Sequence, residues 1–138
     1  MNFFHGSSTP LPPGTILRNL PGYEERWGHN DFYKILEQYR PQDKLPHKEA
    51  VFLCENDDDL DAVGAGTEFV LEVLPMGPVS RHDLNWGSEI DVLRSNGVPA
   101  DDPQIALAAE NYWNGVPHHD PVWEVLTAEG RVMSCEPF

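Results

Sequence analysis

Chemistry in this sequence starts at Phe3-Phe4-His5-Gly6-Ser7-Ser8, where a histidine closes an aromatic run and is followed by the smallest residue and two hydroxyls. A histidine fixed on a strand edge can hydrogen-bond a ligand hydroxyl. Gly6 leaves backbone groups open to a carboxamide, which needs one donor and one acceptor. The plain alternative is a histidine satisfied in the core or at the surface. His118-His119-Asp120 invites a metal reading, but adjacent histidines on a strand point apart and no third ligand lies at suitable spacing, so no metal is expected. Asp57-Asp58-Asp59-Leu60-Asp61 lacks the turn glycine and twelfth-position glutamate of a calcium loop and reads instead as a helix N-terminus. Tyr112-Trp113 either lines a cleft or fills the core.

These residues need elements to position them. Residues 2–5 read as a short buried strand ending in the polar turn Gly6-Ser7-Ser8-Thr9-Pro10, with His5 at the strand's end. Prolines and glycines between Leu11 and Gly28 leave a long ordered loop, with Thr15-Ile16-Leu17 as at most a short strand. Asn30 or Asp31 caps a helix whose Phe32, Ile35, Leu36 and Tyr39 share a face, and Pro41 stops it. Ala50 to Cys54 is an apolar run of strand length, and Asn56 with three aspartates starts a short helix through Ala65. Thr67 to Leu74 alternates as a strand with Phe69, Leu71 and Val73 on one side. The pattern of Arg81 to Asn96 specifies no element. Asp101-Asp102-Pro103 opens a helix running through Ile105, Leu107 and Ala108 to Trp113. Pro121–Leu126 and Arg131–Cys135 are two strands joined by Thr127-Ala128-Glu129-Gly130. This order favours an α+β fold, and no strand-to-helix Gly-rich turn supports a Rossmann domain.

Three segments, in order, resemble the ADP-ribosyltransferase superfamily. Phe3 to Ser8 is similar to the aromatic-His-Gly-Thr/Ser motif closing the first strand of the NAD⁺ cleft. Lys48 to Cys54 resembles the second motif, whose aromatic stacks on nicotinamide; Phe52 stands where the His-Tyr-Glu subgroup usually has tyrosine, keeping the stacking surface without the hydroxyl. Pro121 to Gly130 resembles the Glu-Val-Leu, short turn, Gly pattern, which makes Glu124 the catalytic glutamate. Breaking the N-glycosidic bond builds oxocarbenium character that such a carboxylate stabilises. Trp123 departs from members with a further Glu or Gln before the catalytic one, a residue often linked to protein-arginine modification. Glu68 to Asn85 is also similar to a stretch of rifamycin ADP-ribosyltransferases, which makes Asp83 a rival for the acidic role. The resemblance implies one domain over 1–138 with a compact split sheet and short peripheral helices. It further implies NAD⁺ as co-substrate, release of nicotinamide, and a protein, nucleic-acid or small-molecule acceptor. His5, Gly6, Ser7, Phe52 and Trp113 would lie about the cofactor. Arg18, one of nine basic residues, is the best-placed partner for the diphosphate.

Composition sets limits. In 138 residues there are 23 acidic and 9 basic side chains, a net charge of −14, which disfavours direct nucleic-acid binding. The same excess motivates a second reading, an acidic binding protein that mimics nucleic acid and blocks a basic site on a partner. A third, an RNA 2′-phosphotransferase, fits the charge poorly. Thirteen prolines and eleven glycines predict long irregular segments, and the two cysteines are expected as free thiols. No apolar run is long enough to span a membrane and the opening residues lack a basic signal-peptide region, so the expectation is a cytoplasmic protein.

Overall fold

The computed structural model describes residues 2–18, 30–60 and 68–138. Its strands, in chain order, are β1 (Phe3–Ser7), β2 (Ile16–Leu17), β3 (Val51–Cys54), β4 (Phe69–Pro75), β5 (Ser80–Asp83), β6 (Trp123–Thr127) and β7 (Gly130–Pro137). They form one antiparallel sheet in the order β2-β7-β4-β1-β3-β6-β5. Three α-helices stand among the described residues: α1 (Asp31–Gln38), α2 (Asn85–Ser95) and α3 (Pro103–Trp113). The fold is therefore mixed α and β, as the element order predicts.

Local chemistry accounts for the helices. The Asn30 side chain accepts from the Phe32 amide at 3.1 Å and caps α1. Asp102 caps α3 through the Gln104 amide at 2.9 Å, with Pro103 filling the first turn where no amide hydrogen is needed. In α2 the cap position holds Leu84, which has no capping atom, and Asp83 at the end of β5 does the work instead by accepting from the Asn85 amide at 3.0 Å. Gly97, with a φ of +85°, closes α2 in the left-handed region that a glycine occupies without strain. The acidic helix start at Asn56 is a 3₁₀ turn over Asp57–Asp59, and its expected continuation to Ala65 lies largely outside the described residues, as does the loop beyond Arg18.

The two C-terminal strands do not pair with each other. β6 lies between β3 and β5, whereas β7 lies between β2 and β4, so Ala128-Glu129 carries the chain from one side of the sheet to the other. The link from β4 to β5 makes the same crossing beside it, and the Met76 amide donates to the Glu129 carbonyl at 2.9 Å. Both crossings require the sheet to curl. β1 meets β4 over five residue pairs but meets β3 at the single pair Phe4↔Cys54. Gly130 is needed at the start of β7, since a Cβ there would come within 2.5 Å of Val73 Cγ1.

The curl produces two cores. Inside it, Phe3, Leu71, Val73 and Val132 meet Val51, Leu53 and Val125, with Leu17 at the rim. On the opposite face α1, α2 and α3 cover Phe52, Cys54 and Leu126 with Leu36, Ile90, Ile105, Ala108 and Trp113. Burial of each large aliphatic side chain contributes roughly 1.5–3 kcal/mol before ordering costs. Leu107, expected with the apolar face of α3, points outward and is 56% exposed.

Candidate functional site

The helix-covered core contains the densest polar cluster of the described residues, and Glu124 is at its centre. Cross-strand pairing puts Phe4, Cys54 and Glu124 on one face of the sheet, and His82 of β5 joins them beside Glu124. Glu124 has no solvent exposure. Its Oε2 accepts from the Tyr33 hydroxyl of α1 at 2.7 Å, and its Oε1 accepts from the Tyr112 hydroxyl of α3 at 2.5 Å. His47, in the short 3₁₀ turn before β3, places Nε2 2.8 Å from the Tyr112 oxygen and 3.7 Å from Glu124 Oε1. His47 Nδ1 meets Glu37 Oε1 at 2.8 Å, and Arg40 holds the other Glu37 oxygen at 2.9 Å. A row of alternating charge thus runs from the surface at Arg40 through Glu37 and His47 to Glu124.

Burial acts against every charge in this row, and the neighbours overcome it. Burial would raise the Glu124 pKa, but the His47 cation and the two tyrosine hydroxyls hold it below the usual carboxylate value. Burial would depress His47, but its carboxylate partners Glu124 and Glu37 hold it above 6.5. Glu37, against its own partial burial, is brought down to about 2 by His47 and Arg40. Tyr112 is pushed well above 10 by burial and by the Glu124 charge, so it stays a donor. His82 behaves in the opposite way. Burial lowers it to about 4, with Nδ1 donating to the Tyr112 carbonyl at 2.7 Å and Nε2 facing the Ser80 hydroxyl at 2.8 Å. Among the described residues no buried side-chain nitrogen or oxygen lacks a hydrogen-bond partner.

The residues singled out from sequence divide sharply. Phe52 shares the Glu124 face and is 2% exposed, its ring 6.2 Å from that of Tyr33 and 5.8 Å from that of His47. His5 projects from the other face, opposite Leu71, and its Nδ1 donates to the Phe52 carbonyl at 2.7 Å. The sheet therefore separates the His5 and Glu124 side chains, which the motif resemblance places together. Gly6 pairs with Val70 inside the sheet, and Ser7 turns its hydroxyl onto the Thr9 backbone. Asp83 is fully buried and accepts from the backbone amides of Asn85, His118 and Val122, which ties β5, α2 and the segment before β6 together. Its carboxylate is committed to structure. Trp113 lies in the core and donates to the Leu36 carbonyl at 2.8 Å. Arg18 pairs with Glu129 at 2.6 Å at the surface, away from the Glu124 centre.

Sequence reasoning missed Tyr33, Glu37 and His47. A signal was present in α1, where Tyr33 and Glu37 are four residues apart and therefore stacked along one side of the helix. Pro46-His47 carries no motif. Among the described residues no group of three or more metal-ligating side chains could hold an ion, and no helix is long and apolar enough to cross a membrane. No family model matches the chain, and no curated protein matches it either.

Proposed function

We propose that the chain is an NAD⁺-dependent ADP-ribosyltransferase of split-sheet type, with Glu124 as its reacting carboxylate. The one-pair junction between β1 and β3 supports a sheet in two halves, β2-β7-β4-β1 and β3-β6-β5. The three segments that carry the resemblance fall on laterally adjacent strands, β1, β3 and β6.

The observation that carries the reading is Tyr33. Its ring lies against the Phe52 ring and its hydroxyl donates to Glu124, so one side chain brings an aromatic ring and a hydroxyl to the two residues that would receive nicotinamide and ribose. Tyr33 occupies the ligand's place and closes it, and NAD⁺ binds when that ring swings aside while α1 and its Glu37 stay in place. Nicotinamide then stacks on Phe52, a ribose hydroxyl takes over Glu124 Oε2, and the carboxylate stabilises the cation that forms as the glycosidic bond lengthens. His5 in this reading positions β3 through the Phe52 carbonyl and does not touch ribose. The acceptor is a protein, a nucleic acid or a small molecule.

Nicotinamide release from NAD⁺ by the wild type and by Glu124→Gln, each with candidate acceptors, tests the proposal. Release by the wild type, lost by at least about 100-fold in the variant, supports it. Equal release by both removes Glu124 from the mechanism.

A second reading, an acidic protein that occupies a basic site, is favoured by a groove along β4 and β7. Asp57, Glu72 and Glu136 line it between Phe4 and Phe138, and no basic side chain is among its described lining residues. This reading calls for binding to a lysine- and arginine-rich partner that weakens as salt rises and persists in Glu124→Gln. Indifference to salt contradicts it.

A further inference from the structure

We infer that His47 is the positioning residue of the Glu124 centre, a clamped imidazolium that holds the carboxylate ionised with one oxygen fixed and the other available to ligand. The inference rests on the transferase reading for its purpose, but its geometry is independent of it.

Three contacts determine the charge of the ring. Nδ1 faces a Glu37 carboxylate oxygen, which only accepts, so Nδ1 carries a proton. Nε2 faces the Tyr112 oxygen, whose own proton is committed to Glu124 Oε1, so Nε2 donates as well. A histidine donating from both nitrogens is a cation. Glu37 grips it twice, since the same Oε1 accepts the His47 backbone amide at 2.8 Å. The ring is wedged between Tyr33 and Trp113, at centroid distances of 4.8 and 5.1 Å, and its side chain is fully buried.

The two Glu124 oxygens therefore have different roles. Oε1 is fixed by Tyr112 and faces the His47 cation. Oε2 is held by Tyr33, the residue whose withdrawal opens the site. A ribose hydroxyl arriving at Oε2 meets a carboxylate already charged and aimed, with no reorganisation left to the reaction step. The titratable and charged groups about His47 are Tyr33 and Glu37 of α1 with Arg40 behind, Tyr112 of α3, Glu124 of β6, and His82 of β5 with Lys44 more distant. Of these, Arg40 and Lys44 are cations that oppose it and His82 is neutral; the two carboxylates outweigh them at shorter range.

The experiment uses the full chain and two independent readouts. Carbon-13 titration of the Glu124 carboxyl and nitrogen-15 titration of the His47 ring are run on wild type, His47→Gln and Glu37→Gln, beside the pH profile of nicotinamide release. In wild type both ring nitrogens keep their protons above the ordinary histidine value. In His47→Gln the Glu124 midpoint rises by about one pH unit or more. Release at neutral pH falls about tenfold or more, mainly in kcat, and its acid limb moves upward with the Glu124 midpoint. An unchanged Glu124 midpoint overturns the proposal. Should His47→Gln fail to fold, Glu37→Gln decides, because His47 must then lose its second proton at lower pH; an unchanged His47 midpoint overturns the proposal. Shifted titrations without nicotinamide release from wild type support the clamp and count against the transferase, so the two failures are distinguishable.

Discussion

The two faces of the sheet are packed on different principles. Inside the curl, Phe3, Leu53, Leu71, Val73, Val125 and Val132 make an almost purely aliphatic core whose one described histidine, His5, faces a backbone carbonyl. Under the helices a buried core encloses a glutamate, two histidines and two tyrosines, all hydrogen-bonded. The aliphatic core stabilises by area removed from water, and losing one side chain leaves no neighbour with an unpaired charge or hydrogen bond. The polar core stabilises only as a set, because each buried charge is worth keeping only while its partner remains. Apolar packing would have filled the same space, so the charges make this face the one to which we assign the proposed chemistry.

Breaking one member on each side sharpens that contrast. Glu124→Ala leaves the buried His47 cation with Glu37 as its one carboxylate and strips the Tyr33 and Tyr112 hydroxyls of their acceptor, and should cost about 3–5 kcal/mol, read as a drop in the urea midpoint. Leu71→Ala on the dry side should cost about 2–5 kcal/mol. The diagnostic is coupling. Glu124→Ala combined with His47→Leu should recover part of the loss, whereas Leu71→Ala combined with Val125→Ala should not.

The two buried histidines give the next effect. His47 binds its proton more tightly in the folded chain, so its contribution is fully present below 6.5 and is lost as pH rises through its folded value. His82 binds its proton less tightly, so stability falls as pH drops from 6.5 towards about 4, on the order of 3 kcal/mol over that span. Glu37 and Glu124, both lowered, lose their contributions further into the acid range. Stability should therefore peak near pH 6.5, with His82→Gln flattening the acid side and His47→Gln the alkaline side in denaturant midpoints measured across pH. A maximum that stays in place in both variants contradicts the assignment.

Smaller effects follow from the loss of single contacts. Tyr33→Phe removes one hydrogen bond to a charged acceptor and should cost about 1.5–3 kcal/mol by urea denaturation. Arg18→Ala removes an exposed ion pair and should change stability by less than about 1 kcal/mol. A larger loss at Arg18 would point to a role the described contacts do not contain.

Local signals in the sequence located most elements. Asn30 and the Asp102-Pro103 pair each mark a true helix start, and the apolar run ending at Cys54 is β3. β5 and α2 were illegible because the cap of α2 comes from Asp83 in the preceding strand while Leu84 holds the cap position. The short link from Thr127 to Gly130 fixed the ends of two strands but not their neighbours, since a curled sheet brings distant strands together without a hairpin. At the site, the sequence singled out Glu124, and the structure puts it at the centre of a buried polar cluster. Of its partners, Tyr112 was singled out only as a cleft or core residue, and Tyr33 and His47 were not legible, because they converge from two further elements and neither sits in a motif. Alternation along β1 also hid the separation of His5 from Glu124, which depends on the register Phe4↔Cys54↔Glu124.

Calorimetric titration of NAD⁺ into wild type, Tyr33→Ala and Glu124→Gln tests the central claim that Tyr33 holds the ligand's place over Phe52 and Glu124. Removing the ring should tighten binding by about tenfold relative to wild type, because the open state no longer competes with the closed one, and Glu124→Gln should weaken it. Absence of NAD⁺ binding in both wild type and Tyr33→Ala would contradict the account and transfer the function to the acidic groove along β4 and β7.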